Sequence, residues 1–140
     1  MQRDGRSARR FGLTALRALV GLVFVASGLT KFADHAQAAV DFARWNVPLA
    51  GSAAYAVGGL ELVGGALLLL GVATRLVAMP LLAVMVGAVV TAGLTEGGAH
   101  LVLPPALALL CALFAARGGG AWQLLAFPSV PSLSSNPTRA

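Results

Sequence analysis

Two ionisable side chains sit where an apolar chain should carry none. Arg17 is the single charge in residues 11–30, and Glu61 is the single charge in residues 53–72. If these stretches cross a bilayer, each charge costs roughly 2.5–3.5 kcal/mol or more at the centre, so each needs a partner or a polar cavity. The simplest partner is the other. With Lys31 and Ser52 taken as level outer ends, Arg17 lies fourteen residues down, about 21 Å, and Glu61 nine residues down, about 13–14 Å. That difference of about 7–8 Å is within the joint reach of the two side chains, so an Arg17–Glu61 pair is expected. Lys31 is the competing partner for Glu61, although it can also snorkel outward. Chemically the pair is either a lock between two helices or a ligand, quinone or proton site, and both readings stand at this point.

Around these charges the small residues are placed for close contact. Gly58 and Gly65 lie at −3 and +4 from Glu61, on its own helical face. Gly21 and Gly28, seven apart, share a face of the first helix. In a membrane such residues let backbones approach, and packing drives helix association there. Other chemistry is sparse. His35 and His100 fall near Asp34, Asp41 and Glu96 at a boundary, but no spacing such as H-x₃-H supports a metal or a two-histidine haem, so no metal is expected. Cys111, the one cysteine, excludes an intramolecular disulfide and C-x-x-C chemistry and reads as a small core hydrophobe. There is no Gly-rich phosphate loop, no G-x-S-x-G and no complete catalytic triad.

Positioning these residues requires helices in a bilayer. The chain has 140 residues, 58% hydrophobic and only 11% charged, where soluble domains carry about 25% charge. Mean hydropathy is +0.83. This composition argues strongly against a soluble monomer, and an all-α integral membrane four-helix bundle is the expected fold. Residues 76–95 and 97–116 carry no charge, and each is long enough to cross about 30 Å of hydrocarbon. With the two singly charged stretches, helices are expected over about 12–30, 53–72, 76–94 and 100–116. Pro80 suits the first turn of the third helix, and Pro104–Pro105 the first turn of the fourth. The connection between the first two helices contains residues 36–44, of helical composition, followed by Trp45 and Pro48. It reads as a short interfacial helix ending before Pro48.

The chain thus divides into a basic flank (1–11), a transmembrane domain (12–116) and a largely disordered Pro/Ser-rich tail (117–140). With the N-terminus inside, Arg3, Arg6, Arg9, Arg10, Arg75, Arg117 and Arg139 are cytoplasmic and only Lys31 and Arg44 lie outside. This imbalance places both termini in the cytoplasm. It also accounts for the net charge of +5 without nucleic acid, since no basic stripe with interleaved aromatics exists. An A-x-A motif, Ala36-Gln37-Ala38, resembles a signal-peptide cleavage site. Lys31, Asp34 and His35 intervene, however, and Arg17 interrupts the apolar run, which favours a retained first helix.

The residues also carry a family resemblance. Arg17-Ala-Leu-Val-Gly21-Leu-Val-Phe24-Val-Ala-Ser-Gly28-Leu-Thr-Lys31-Phe32 resembles the first-helix signature of the DoxX family. Phe42-Ala-Arg-Trp-Asn-Val-Pro48 is similar to its first loop. Gly58-Gly-Leu-Glu61-Leu-Val-Gly64-Gly65 and Leu70-Gly71-Val-Ala-Thr74-Arg75 resemble its second helix and exit. The ordered set covers about residues 15–90. The resemblance implies a four-helix protein of the bacterial inner membrane, with Arg17, Lys31, Glu61 and Arg75 matching the family's polar pattern. It further implies an accessory or anchoring subunit of a redox system, quinone-linked or countering oxidative stress, with a redox protein as partner. No cofactor is established by the residues; a quinone is the one the resemblance brings in. Two alternatives stay open: a direct quinone-binding oxidoreductase subunit with Arg17, Glu61 and Lys31 lining the site, and a small, oligomeric transporter or pore.

Overall fold

The computed structural model describes the backbone of residues 3–118 and side chains from residue 11; the tail beyond residue 118 lies outside the described residues. Its elements are α1 (Arg3–Ala33), α2 (His35–Arg44), α3 (Ala50–Leu70), α4 (Thr74–Ala88), a π-helical turn (Val89–Gly93), α5 (Leu94–Glu96), a 3₁₀ turn (Gly98–Leu101) and α6 (Leu103–Arg117). There are no strands among the described residues. Four stretches are long and apolar enough to cross a membrane: Phe11–Ala33, Ala50–Leu70, Thr74–Glu96 and Gly98–Arg117. The third is continuous through the π turn and α5.

Local chemistry sets the boundaries. Asp34 starts α2 by accepting a hydrogen bond from the Gln37 backbone N–H at 3.1 Å, which satisfies a donor the helix cannot. That helix ends at Arg44, ahead of Pro48, and Asn46 turns the chain with φ 57°. Gly71, at φ 71°, closes α3: its N–H bonds Leu68 O at 3.1 Å and the Val72 N–H bonds Leu67 O at 2.9 Å, a Schellman ending that favours glycine. Because the following helix begins at Thr74, Pro80 falls in its second turn rather than its first. The α-helix there loses one i→i−4 bond. Pro104 and Pro105 do open α6, where free N–H groups are orphans anyway.

The bundle is two antiparallel pairs. α1 packs chiefly on α3 and α4 chiefly on α6, while α2 lies across α3. The core at their junction is Val20, Phe24, Leu68, Leu81, Met85 and Phe114 with their neighbours, and Cys111 is wholly buried within it. The α1–α3 contact is glycine on glycine. A Cβ on Gly28 would lie 2.7 Å from Gly58 O and Leu62 N; one on Gly65 would lie 2.7 Å from Gly21 O and Val25 N. Backbone therefore touches backbone over both turns.

Candidate functional site

Those glycine contacts fix the register that positions every polar residue. Gly28 faces residues 58–62 and Gly21 faces residues 65–69, so the two helices run seven for seven in opposite directions. Glu61 is consequently level with Ser27, and Lys31 with residue 57. Arg17 lies ten residues before Ser27 on α1, about 15 Å away at 1.5 Å per residue. It is level with the turn after Gly71, at the other end of the core. This register does not set Arg17 beside Glu61. Glu61 is paired with Lys31, the competing partner, at 2.6 Å.

The direction of the side chains reinforces this. Helical side chains lean toward their own N-terminus. On antiparallel helices Lys31 and Glu61 therefore lean toward each other, whereas Arg17 leans away from Glu61. Lys31 Nζ also donates to Ser27 Oγ, one turn back, at 2.9 Å. Ser27 in turn donates to Glu61 Oε2 at 3.0 Å. The result is a closed triangle inside the bundle, with Glu61 3% and Lys31 19% exposed in their side chains. Ser27 escaped the sequence reading. Its position four residues before Lys31 was the available signal.

The other candidates take different places. Arg17 is buried on α1, on the same stripe as Val20 and Phe24. Arg75 donates from its guanidinium to the Ala116 carbonyl and so ties the start of α4 to the end of α6. His35 stacks on Tyr55 with ring centroids 3.5 Å apart. His100 instead joins a cluster drawn from three segments. Its Nε2 is 3.3 Å from Glu96, Arg44 reaches the same carboxylate at 3.5 Å, and Trp45 stands edge-on to the imidazole at 5.5 Å.

The triangle and this cluster face one cavity of about 420 Å³ between the two helix pairs. Its walls are apolar, including Val23, Phe24, Val57, Val84, Met85 and Leu107. Its polar lining comes from Ser27, Lys31, Glu61, Thr91, Trp45 and His100. The Thr91 hydroxyl is spent on Gly87 O at 2.9 Å. The π turn shapes one wall through Thr91 and Ala92, and such insertions recur at functional sites. Hydropathy gave no sign of it. Of the three N–H bonds an ammonium offers, Lys31 uses two; of the carboxylate oxygens, the contacts to Lys31 and Ser27 both use Oε2. A donor and an acceptor thus remain side by side at one end of an oily cavity. That set suits a ligand with a small carbonyl or hydroxyl head and an apolar body.

Comparison with known proteins bears on this arrangement. The DoxX family model matches residues 12–94, which include α2, α3 and both partners of the buried ion pair. An uncharacterized membrane protein of Mycobacterium tuberculosis, Rv3486, is 46% identical over 76 residues, 54% of this chain and 47% of that protein. A Bacillus subtilis protein named "Putative oxidoreductase CatD" is 32% identical over 80 residues, 57% of this chain and 58% of that protein. The matched region spans about half the length of these curated relatives. No solved structure matches the chain.

Proposed function

This chain belongs to the DoxX family of membrane proteins, and from that premise we propose that its bundle holds a quinone-class head group in the cavity beside Lys31 and Glu61. The observation that carries the reading is the juxtaposition of a buried ion pair, with donor and acceptor capacity to spare, and apolar walls open to a lipid-soluble body. A quinone carries a carbonyl that accepts a hydrogen bond when oxidised and a hydroxyl that donates one when reduced. Lys31 Nζ answers the first form and Glu61 Oε1 the second. Ser27 holds both groups in place, and the apolar walls keep water from the Glu61 side of the pair. The quinone itself supplies the electron-carrying chemistry. The printed name of the Bacillus relative agrees with a redox role.

In this reading the chain is a subunit of a membrane redox system, with electrons delivered by a protein partner in the bilayer. The excess of positive residues at the ends of the chain supports termini in the cytoplasm and the α2 end of the bundle outside. Trp45 lines the cavity and gives the test. In a Trp122→Phe background, where Trp45 is the remaining tryptophan of two, a short-chain quinone titrated into purified protein in detergent should quench the fluorescence saturably. The same titration of Glu61→Gln should need at least tenfold more ligand. Linear, non-saturating quenching in both proteins would remove the proposal.

A further inference from the structure

A second cavity, of about 260 Å³, adjoins the first on the side of α2. Its lining differs in kind: Thr30, Asp34, Gln37 and Asp41 ring it, and two carboxylates at its edge are held by the same glutamine. Asp34 accepts from the Gln37 backbone N–H at 3.1 Å, and Asp41 accepts from Gln37 Nε2 at 2.9 Å. The two cavities share three residues, Lys31, Phe42 and Trp45. Phe42 is buried and Trp45 is largely apolar, so Lys31 is the one shared residue able to carry a proton.

We propose that Lys31 is the proton carrier between an acidic, water-facing vestibule and the Glu61 end of the apolar cavity. The step balances without an oxidant or reductant. Lys31 Nζ–H gives its proton across 2.6 Å to Glu61, or to an oxygen atom of a head group beside it, and becomes a neutral amine. A hydronium ion in the vestibule then reprotonates the amine and leaves water. One proton and its positive charge have moved inward onto Glu61 or the head group; the reverse order releases both outward. Asp34 and Asp41 give the vestibule an acidic lining that favours the ammonium from that side. The polar groups facing Lys31 are Ser27 and Thr30 on α1, Asp34 at the start of α2, Asp41 on α2 and Glu61 on α3, while His100 shares the apolar cavity. A lock between helices would need only the ion pair and would not need a water-facing cavity behind it.

The water access is independent of the quinone reading; only the identity of the inner proton acceptor rests on it. Lys31 is the sole lysine of the chain, which makes the test possible on the unaltered protein. A water-soluble, membrane-impermeant amine reagent, trinitrobenzenesulfonate, is applied to vesicles bearing the full chain, and peptide mass mapping separates Lys31 from the N-terminal amine. Modification of Lys31, undiminished by saturating the cavity with a short-chain quinone, is the expected result. Modification by lipophilic isothiocyanate alone, or by neither reagent, would overturn the proposal whether or not quinone binds.

The second arm reads the proton itself. A chromogenic nitrophenol of quinol size is bound, the pH is jumped, and the absorbance of the bound fraction is followed. Lys31→Arg, whose guanidinium keeps its proton, should slow that change at least tenfold, and an unchanged rate would contradict proton carriage. If the phenol does not bind, the quinone reading fails and the labelling result alone decides the inference.

Discussion

Lys31→Met will destabilise the folded protein by about 3 kcal/mol, and the double variant Lys31→Met/Glu61→Leu will recover most of that loss. Burial sets the size of the loss. Glu61 is 3% exposed and has no route to water of its own, so removing Lys31 leaves a carboxylate in an apolar interior. It must then take up a proton or remain uncompensated, and either outcome costs stability. Glu61→Leu alone should cost less, because Lys31 is 19% exposed and can swing its amine into the vestibule. Replacing both with apolar residues of similar size removes the charges together, which in buried pairs is often close to neutral. Unfolding in mixed detergent micelles, followed by circular dichroism, measures all three. A double variant as unstable as the sum of the singles would show that the pair does not act as a unit.

The glycine seam gives the second large effect. Gly28→Ala and Gly65→Ala add only a methyl group, yet in each case it would lie 2.7 Å from backbone atoms of the facing helix. Backbone cannot rotate aside as a side chain can, so α1 and α3 must separate along their contact. The expected cost is about 2–3 kcal/mol for each substitution, toward the upper end for overpacking. Separation would also lengthen the 2.6 Å Lys31–Glu61 contact that the seam brings into line. Gly12→Ala is the control: nothing lies within 4 Å of its added methyl, and alanine is the better helix former. Its stability should match or slightly exceed the parent in the same unfolding measurement. Equal losses at Gly12 and Gly28 would mean that the seam is not the contact that holds the pair of helices.

Hydropathy encodes where a chain crosses a bilayer, not how its helices line up. Four spans, a short helix after the first and the packing role of the glycines were all legible, because length, charge placement and residue size determine them. Axial register was not. Treating Lys31 and Ser52 as level placed Glu61 near Arg17, whereas the glycine seam sets Lys31 level with residue 57, a shift of five residues, about 7–8 Å. Apolar spans slide past one another without any change in hydropathy, so only side-chain contacts fix that offset. The lean of helical side chains toward the N-terminus was available from first principles and already favoured Lys31. The cavity was beyond the sequence for a different reason. Its lining is drawn from α1, α2, α3, α4, the π turn and the α6 end, and residues such as Trp45, Met85 and His100 meet only when the two helix pairs are docked.

On the proposed function, a lipid-soluble head group occupies the cavity beside Lys31 and Glu61. A photoreactive quinone analogue, cross-linked in native membranes and mapped by mass spectrometry, tests it most directly. Attachment should concentrate on cavity positions such as Trp45, Met85 and Ala92 and should be displaced by excess unmodified quinone. Attachment spread over outward-facing residues such as Leu19, Leu22 and Leu109, undiminished by competitor, would contradict it.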